Sequence, residues 1–587
     1  MFDPSAIPRV FATPVGRDFC ADLIAGLERR MAGAPPEAWA RVQILVANGR
    51  MLRRLQALFA ASGPRLMPRL RTVQSLGADP IIADLPAALP PLDLRLDLAA
   101  LVARLMDTQP DLAPRAALYD LSDSLADLMG EMFEEGVTPA ALAALDVSQH
   151  AAHWQRSQAF LTAISGYFET ESRLTVQARQ AQVVDALIAR WRADPPADPI
   201  LVAGSTGSRG ATARLMAAVA GLPQGAVILP GLDRDMPQAI WTDLLERRRT
   251  GLAGEDHPQY RLARFMAAQG LTAQDVADWE PGARPLRARS AAVSLALRPA
   301  PVTDQWREEG PRLTDLADGF AKVSLVEAPT PTVEAGAIAL RLRQAARDGQ
   351  RAALIAADAR LVRMVIAALD RWGILPDVSA GEPLLQTVRG RFFGLVAQAL
   401  TEPVSPERLV ALLQHPTCHG GPGRGRHLLR SRDLELGLRR NGLGLPRADK
   451  IRAWAAARDR DPGAPAWADW LLGSVLAVRP EGPRPFAEWA EAHVTLAEAL
   501  AAGSGDGGGD DEVADASGDG RLALYSEDDG AALADLVAEM RSAASAGAPL
   551  TASEYRDMVL ALAEDRTARH SLRPRADILI WGTQEAR

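Results

Sequence analysis

The chain has 587 residues, of which 48% are hydrophobic and 24% charged, and its formal net charge is −8. These values are typical of globular proteins, and the length allows roughly three to five domains. The absence of an apolar run of about 18 residues argues against a membrane span, and the N-terminal residues lack the pattern of a secretory signal. Cys20 and Cys418 are the only cysteines, so the chain cannot supply a four-cysteine cluster. So few cysteines are typical of proteins in a reducing compartment, and a cytoplasmic location is therefore expected.

Basic residues are concentrated in two segments. Residues 1–75 carry eleven Arg against five acids, and residues 411–452 carry nine basic residues against three acids. A Gly-rich segment, 503–520, holds six acids and no base and is predicted to be a disordered loop. The two basic segments could bind an anionic partner such as DNA, although a solvated Arg-rich face explains the charge equally well.

The first elements alternate between strand and helix. A short strand (Val10–Ala12) precedes a helix that runs to about Met31, and a buried strand (Val42–Val46) precedes an Arg-rich helix (Arg50–Ala60). This alternation predicts a parallel sheet covered on both faces. Residues 92–192 then have an almost entirely helical pattern, which we interpret as an insertion.

The strand pattern resumes at Ile200 and at Val227–Leu229, and the Pro- and Arg-rich residues 280–315 are interpreted as a linker. A second α/β unit is predicted from strands at 323–328 and 352–357, each followed by a helix. Residues 400–555 are again helical in pattern, and Asp577–Trp581 is a final predicted strand. The predicted domains are 1–75 with 193–300 (first α/β domain), 76–192 (its helical insertion), 316–400 with 556–587 (second α/β domain) and 401–555 (its helical insertion).

The segment PILVAGSTGSRGATARLMAAVA, residues 199–220, indicates a buried strand, a Gly-rich turn and a helix. Many α/β proteins bind phosphate groups at such a turn. One interpretation is an NAD(P) site of the Rossmann type, in which Gly204, Gly207 and Gly210 let the backbone approach a pyrophosphate. The Tyr-x-x-x-Lys pair of short-chain dehydrogenases is not encoded, because none of the five tyrosines has Lys four positions later.

A conventional ATP site is not encoded either. The P-loop motif G-x-x-x-x-G-K-[ST] needs a lysine to neutralise the phosphates. Lys322 and Lys450 are the only lysines of the chain, and neither lies in such a motif.

The predicted domain order resembles superfamily 1 helicases of the UvrD type, in which two RecA-like domains each carry a helical insertion. In this resemblance, residues 200–220 align with the Walker B segment, and Ala203 and Gly204 replace its Asp-Glu pair. Thr13, Pro14 and Gly16 lie at the position of the P-loop. The resemblance therefore implies α/β domains of RecA-like fold with an inactivated ATP site.

A more specific resemblance is to the AddB subunit family of AddAB helicase–nucleases, in its alphaproteobacterial form. The similar segments follow the family order along the whole chain. They are PRVFATPVGRDF (8–19), ILVANGRMLRRLQALF (44–59), AGSTGSRGATARLMAAVAGLPQGAVILPGLD (203–233), HPQYRLARFM (257–266), DRWGILPDVSAGEPLLQT (370–387), ALLQHP (411–416) and RPRADILIWGTQEAR (573–587).

The resemblance implies a subunit that pairs with an AddA-like helicase–nuclease and acts in the processing of DNA double-strand breaks for recombination. Such a subunit binds double- and single-stranded DNA, and AddB-like chains help to recognise a hotspot sequence. The family also has a C-terminal nuclease domain with Mg²⁺ and a 4Fe-4S cluster. The sequence stops at Arg587, inside the motif IWG-x-x-EAR. We therefore expect this chain to contain no catalytic residue, cofactor or metal site. We also expect its last strand to lack neighbouring strands to pair with.

Three groups of residues are candidates for DNA contacts. Guanidinium groups bind phosphate bidentately, and the hydroxyl and N–H groups of a turn can hold a phosphate. For each group, a solvated or purely structural role is the alternative. The candidates are Arg50, Arg53 and Arg54 after the second strand; Ser205, Thr206, Ser208 and Arg209 on the Gly-rich turn; and Arg424, Arg426 and Arg430 in a Gly-rich loop.

One further cluster, made of His415, Cys418, His419 and His427, has a superficial likeness to a metal site. Its spacing, H-x-x-C-H-x₇-H, does not match a closed zinc site. A structural role is therefore predicted for these residues.

Overall fold

A computed structural model describes residues 1–5, 7–63, 66–78, 85–108, 117–138, 141, 144, 175–246, 254–282, 286–299, 302–379, 381–440, 445–476, 480–505, 520–543, 547–568 and 575–583. The chain divides into two compact units. Unit 1 comprises Met1–Pro91 and Asp123–Ser324, and unit 2 comprises Leu92–Ser122 and Leu325–Arg587.

The strands, in chain order, are β1 (Val10–Pro14), β2 (Gln43–Val46), β3 (Arg69–Thr72), β4 (Ile200–Ala203), β5 (Gly225–Leu232), β6 (Ala277–Asp278), β7 (Ala352–Ile355), β8 (Pro376–Val378), β9 (Glu382–Pro383), β10 (Thr567–Ala568) and β11 (Arg575–Trp581).

The α-helices are α1 (Phe19–Arg30), α2 (Pro36–Arg41), α3 (Gly49–Ala61), α4 (Pro91–Thr108), α5 (Leu118–Glu135), α6 (Val176–Ala193), α7 (Gly210–Gly221), α8 (Gln238–Leu245), α9 (Tyr260–Ala268), α10 (Arg287–Ala296), α11 (Gln305–Glu309), α12 (Leu316–Phe320), α13 (Pro331–Arg347), α14 (Ala359–Asp370), α15 (Val388–Thr401), α16 (Pro406–Leu413), α17 (Arg424–Arg440), α18 (Ala448–Ala456), α19 (Ala464–Leu471), α20 (Phe486–Ala502), α21 (Gly520–Leu524), α22 (Glu527–Ser542) and α23 (Ala552–Glu564).

Unit 1 is built on a six-stranded parallel sheet with the order β3-β2-β4-β5-β1-β6. Helices α1 and α3 pack on one face, where Leu23 and Phe59 share a buried cluster with Ile44. Helices α6 to α9 pack on the other face, where Leu215 shares a second cluster with Val202. The predicted α/β class with a parallel central sheet is therefore confirmed.

The predicted linker over residues 280–315 is wrong, because much of this segment folds as part of unit 1. It contains α10 and α11, and the indole Nε1 of Trp306 donates to the carbonyl of Leu295 (2.8 Å). Arg298 is 5% exposed and lies near Glu309, with an N–O distance of 3.4 Å. The Arg-rich composition favoured a linker, but Arg298 instead joins α10 to α11.

Unit 2 contains a three-stranded parallel sheet with the order β7-β11-β8. Helices α13 and α14 pack on one face, where Leu342 and Val365 share a buried cluster with Ile578 and Ile580. The expectation that the last strand lacks partners is wrong, because β11 is the central strand and pairs on both sides.

The strand predicted at 323–328 is also not formed. These residues belong to no strand, and the side chains of Leu325 and Val326 are 86% and 71% exposed. The apolar pattern favoured a buried strand, but no neighbouring strand is paired with this segment.

Elsewhere in unit 2, α16, α22 and α23 pack against α15, and α21 and α22 pack against α20. The ring of His493 stacks on Phe393 (3.9 Å between centroids), and its Nε2 donates to the Phe393 carbonyl (3.0 Å). Its Nδ1 consequently accepts the hydroxyl hydrogen of Tyr555 (3.0 Å). Most of the predicted acidic loop, residues 506–519, lies outside the described residues.

None of the helices in the described ranges combines the length and the apolar character needed to cross a bilayer.

Candidate nucleic-acid interface

The sheet of unit 1 places the aligned helicase-like segments at one edge. Helix α1 follows β1 on one face of the sheet and α7 follows β4 on the other, with β5 between the two strands. Ligands of parallel α/β sheets bind at the carboxyl ends of strands where such connections diverge. The residues after β1, β4 and β5 therefore form the candidate site.

The end of β1 and the turn after it contain the residues aligned with a P-loop. The hydroxyl of Thr13 is buried and lies 3.5 Å from the carbonyl oxygen of Leu229 in β5. Pro14 ends the strand, and Gly16 has a φ of +87°. A Cβ on Gly16 would lie 3.4 Å from Oγ of Ser290 in α10. The turn is therefore packed between a neighbouring strand and a helix of the same unit.

Arg17 is held by protein partners at this turn. Its Nη2 lies 2.7 Å from Oδ1 of Asp22, and its Nη1 donates to the carbonyl of Glu280 (2.8 Å). Burial raises the pKa of Asp22 above its ordinary value, although the charge of Arg17 opposes this shift. The guanidinium thus neutralises a buried carboxyl group and fixes the start of α1.

The turn after β4 is covered by apolar side chains. Ala203 is fully buried at the end of β4, and Gly204 has a φ of +76°. A Cβ on Gly204 would lie 2.2 Å from Cε of Met51 and 3.2 Å from Cε1 of Phe19. This glycine therefore makes room for two side chains from the first turns of α3 and α1.

The hydroxyl residues of the turn differ in exposure. Ser205 is 8% exposed, and its Oγ accepts a hydrogen bond from the N–H of Gly207 (3.2 Å). Thr206 is half-buried and Ser208 is exposed. The first hydroxyl stabilises the turn itself, which leaves Ser208 as the hydroxyl most accessible to a DNA strand.

The N-terminus of α7 lies against the end of α5. A Cβ on Gly210 would lie 2.3 Å from the carbonyl oxygen of Glu134, and Arg209 forms an ion pair with the Glu134 carboxylate (3.3 Å). Glu135 lies 4.0 Å from Arg264. Helix N-termini bind anions, but here a carboxylate and a carbonyl lie beside that end. This arrangement disfavours a pyrophosphate at the turn.

Helix α3 presents its arginines at the same edge of the sheet. Oδ1 of Asn48 accepts from the N–H of Met51 (2.9 Å) and caps the helix. Arg53 is exposed and Arg50 is half-buried. Arg54 lies 3.3 Å from Asp18, in a solvent-accessible pair of the kind that contributes little to stability. Arg53 and Arg54 can therefore reach a phosphate with little cost to the fold.

The second Arg group lies on helix α17, so the predicted Gly-rich loop is wrong from residue 424 onward. The guanidinium of Arg424 donates to the carbonyls of Cys418 and His415. Arg430 is 6% exposed and makes two hydrogen bonds of 2.7 Å to Asp461. Arg426 is exposed. Arg424 and Arg430 thus stabilise the helix packing, and Arg426 is the candidate DNA contact that faces solvent.

Near α17, His419 and His427 are buried and His415 is half-buried. Nε2 of His427 donates to the Leu413 carbonyl (2.7 Å), and Nδ1 accepts from the indole of Trp467 (3.0 Å). Burial lowers the pKa of His427 and of His415 to about 4 and raises that of the Cys418 thiol to about 12. His419 stacks on His427 (4.7 Å). Within the described ranges, no three His, Cys, Asp or Glu residues are grouped to hold a metal ion.

Sequence reasoning missed the residues that close the site, namely Met51, Phe19 and Glu134. A signal was present, because α1 and α3 both begin at the carboxyl edge and both carry a large apolar residue in the first turn. Phosphate-binding turns place small, hydroxyl or basic residues at such positions.

No protein-family model matches the chain, and a search of curated proteins finds no match.

Proposed function

We propose that the chain is a non-catalytic, helicase-like subunit that binds DNA and pairs with an AddA-like helicase–nuclease during double-strand break processing. The observation that carries this proposal is the convergence of the segments that the sequence aligns with the P-loop and with the Walker B segment, together with the strand between them. Residues 10–16, 200–204 and 225–233 end at one edge, on the adjacent strands β4, β5 and β1. In an ATP site, the residues that bind the phosphates and those that bind Mg²⁺ must lie close together, as these segment ends do.

The same edge supports the loss of ATP hydrolysis. Ala203 and Gly204 offer no carboxylate for Mg²⁺, and the turn after β1 contains no lysine. Met51 and Phe19 pack over the turn at Gly204. The proposal therefore assigns to unit 1, and by the same resemblance to the sheet of unit 2, a RecA-like fold that has lost its nucleotide.

The arginines of α3 are the main DNA contacts in this proposal. They follow β2 at the carboxyl edge, and Arg53 is exposed. Phosphate contacts hold a strand without reading its sequence, which suits a subunit that guides strands. Recognition of a hotspot sequence remains part of the same proposal. Glu134 argues against the NAD(P) alternative, because it lies at the helix N-terminus that would bind the pyrophosphate.

The test is fluorescence anisotropy of a labelled forked DNA, with the chain alone and with its AddA-like partner. We expect binding that weakens by about tenfold or more between 50 and 200 mM salt, as for a protein that neutralises several phosphates. ATP and Mg²⁺ added to the chain alone should not change the affinity. Absence of binding at low salt with the partner present would refute the proposal, and thermal stabilisation by NADPH would favour the Rossmann alternative.

A further inference from the structure

The sheet of unit 2 has a free edge. Strand β7 pairs with β11 on one side, and no described strand pairs with its other side. Ile355 in β7 is 55% exposed. The strand has the sequence AALI, without a charge or a proline. Exposed sheet edges are normally protected by charges, prolines or a covering element, so an uncharged edge of this kind is suited to accept another strand.

The connections between strands indicate on which side of β7 a strand that precedes α13 would lie. The connection from β7 through α14 to β8 passes over the face that carries Ile578 and Ile580, and α13 packs on the same face. Connections between parallel strands are right-handed in about 98% of cases. Successive right-handed connections on one face move across the sheet in one direction. A strand that leads into β7 through α13 must therefore lie on the side of β7 away from β8, which is the free edge.

The segment before α13 has the properties of that strand. Val323, Leu325 and Val326 are 52%, 86% and 71% exposed, and residues 323–328 have the sequence VSLVEA. Only Pro329 and Thr330 separate the segment from α13, and Oγ1 of Thr330 accepts from the N–H of Val333 (3.3 Å). A connection of two or three residues that ends in a capping hydroxyl is usual between a strand and a helix.

We propose that the free edge of β7 is a strand-binding site whose occupant is residues 323–328 of the same chain, aligned parallel to β7. In this structure the segment belongs to no strand and is exposed. Pairing buries the apolar side chains and satisfies the edge of β7. This inference does not depend on the proposed DNA function.

Cross-linking of cysteine pairs tests the occupant directly. Leu325→Cys and Val326→Cys are each combined with Ala353→Cys and treated with a bis-alkylating reagent that spans about 5 Å, the spacing of neighbouring strands. The matched control combines each with Asp377→Cys on β8, at the opposite edge. Cys20 and Cys418 give little background, because burial raises their thiol pKa to about 11 and about 12.

We expect one of the two pairs to cross-link at least tenfold more than its control, since adjacent residues of a strand point to opposite faces. Yields equal to the control for both pairs would overturn the proposal. A second measurement uses the double variant Leu325→Asp/Val326→Asp, in which a synthetic peptide of residues 321–330 should bind at the vacated edge. Equal binding of the peptide to the unaltered chain would show that the edge is open to other chains, and would also overturn it.

Discussion

The two parallel sheets of this chain differ in how completely they are covered. Every residue of β4 in unit 1 is buried, whereas β7 in unit 2 alternates between half-buried and exposed residues. Unit 1 has helices on both faces of its sheet, and in unit 2 the buried cluster lies on the face that carries α13 and α14. An apolar strand pattern therefore indicates a sheet, but the neighbouring elements decide how many faces and edges are covered.

Acid should lower the stability of unit 2 more than that of unit 1, because the histidines with the largest pKa shifts among the described residues lie in unit 2. Burial lowers the pKa of His415, His427 and His493 to about 4. Their unfolded pKa is about 6.5, so the unfolded chain takes up protons first as the pH falls. The free energy of unfolding of unit 2 should decrease between pH 6.5 and 4, by up to about 3 kcal/mol per histidine.

Hydrogen exchange resolved by segment measures this loss against unit 1. The control variant is His493→Gln, which can keep the contacts to Tyr555 and Phe393 but does not titrate. Its stability should depend on pH with a slope smaller by about one proton. An unchanged slope would show that His493 is not buried as a neutral ring.

A backbone contact in unit 1 gives the next largest effect. A Cβ on Gly225, at the start of β5, would lie 1.9 Å from the carbonyl oxygen of Val219. Because the obstacle is backbone, Gly225→Ala should lower the stability of unit 1 by about 3 kcal/mol. Gly221→Ala is the matched control, since no atom lies within 4 Å of its added Cβ. Urea unfolding followed by hydrogen exchange of β4 and β5 should show loss for the first variant only.

The arginines of α17 distinguish a structural role from a surface role. Arg430→Ala removes a buried guanidinium that holds Asp461 and should cost about 2 kcal/mol. The cost stays below that of a fully buried pair because the side chain of Asp461 is 37% exposed and can be solvated. Arg426→Ala, on the exposed side, should change stability by less than about 0.5 kcal/mol. Equal losses in thermal unfolding would contradict the distinction.

The sequence predicted the strands best where burial is continuous. The runs at Val42–Val46 and from Ile200 contain β2 and β4, since buried parallel strands need apolar residues on both faces. The sequence-based prediction failed where the structure depends on contacts with residues distant in the sequence. The segment interpreted as a linker forms helices that are joined by contacts of Arg298 and Trp306. Residues 323–328 have a strand-like pattern but are not paired with a strand.

The position of the candidate site could be predicted from the sequence, but the set of residues that pack against it could not. The Gly-rich turn marked the end of β4, because glycine adopts the positive φ angles found at Gly204 and Gly207 without steric cost. The residues that pack against the turn come from helices elsewhere in the sequence. The apolar residues in the first turns of α1 and α3 were a signal for Phe19 and Met51, but their contact with the turn at Gly204 depends on the tertiary fold. Glu134, which meets the N-terminus of α7, had no such signal.

The most direct test of the central claim compares the DNA affinity of α3 variants across a salt series. Arg53→Gln/Arg54→Gln is titrated against forked DNA beside the unaltered chain, with Arg347→Gln/Arg360→Gln as a control at exposed sites of unit 2. We predict that the α3 variant binds about tenfold more weakly and that its slope of log affinity against log salt falls by roughly 1.4 to 1.8. The control should match the unaltered chain. Identical affinities and slopes for all three proteins would contradict DNA binding at the carboxyl edge of the unit 1 sheet.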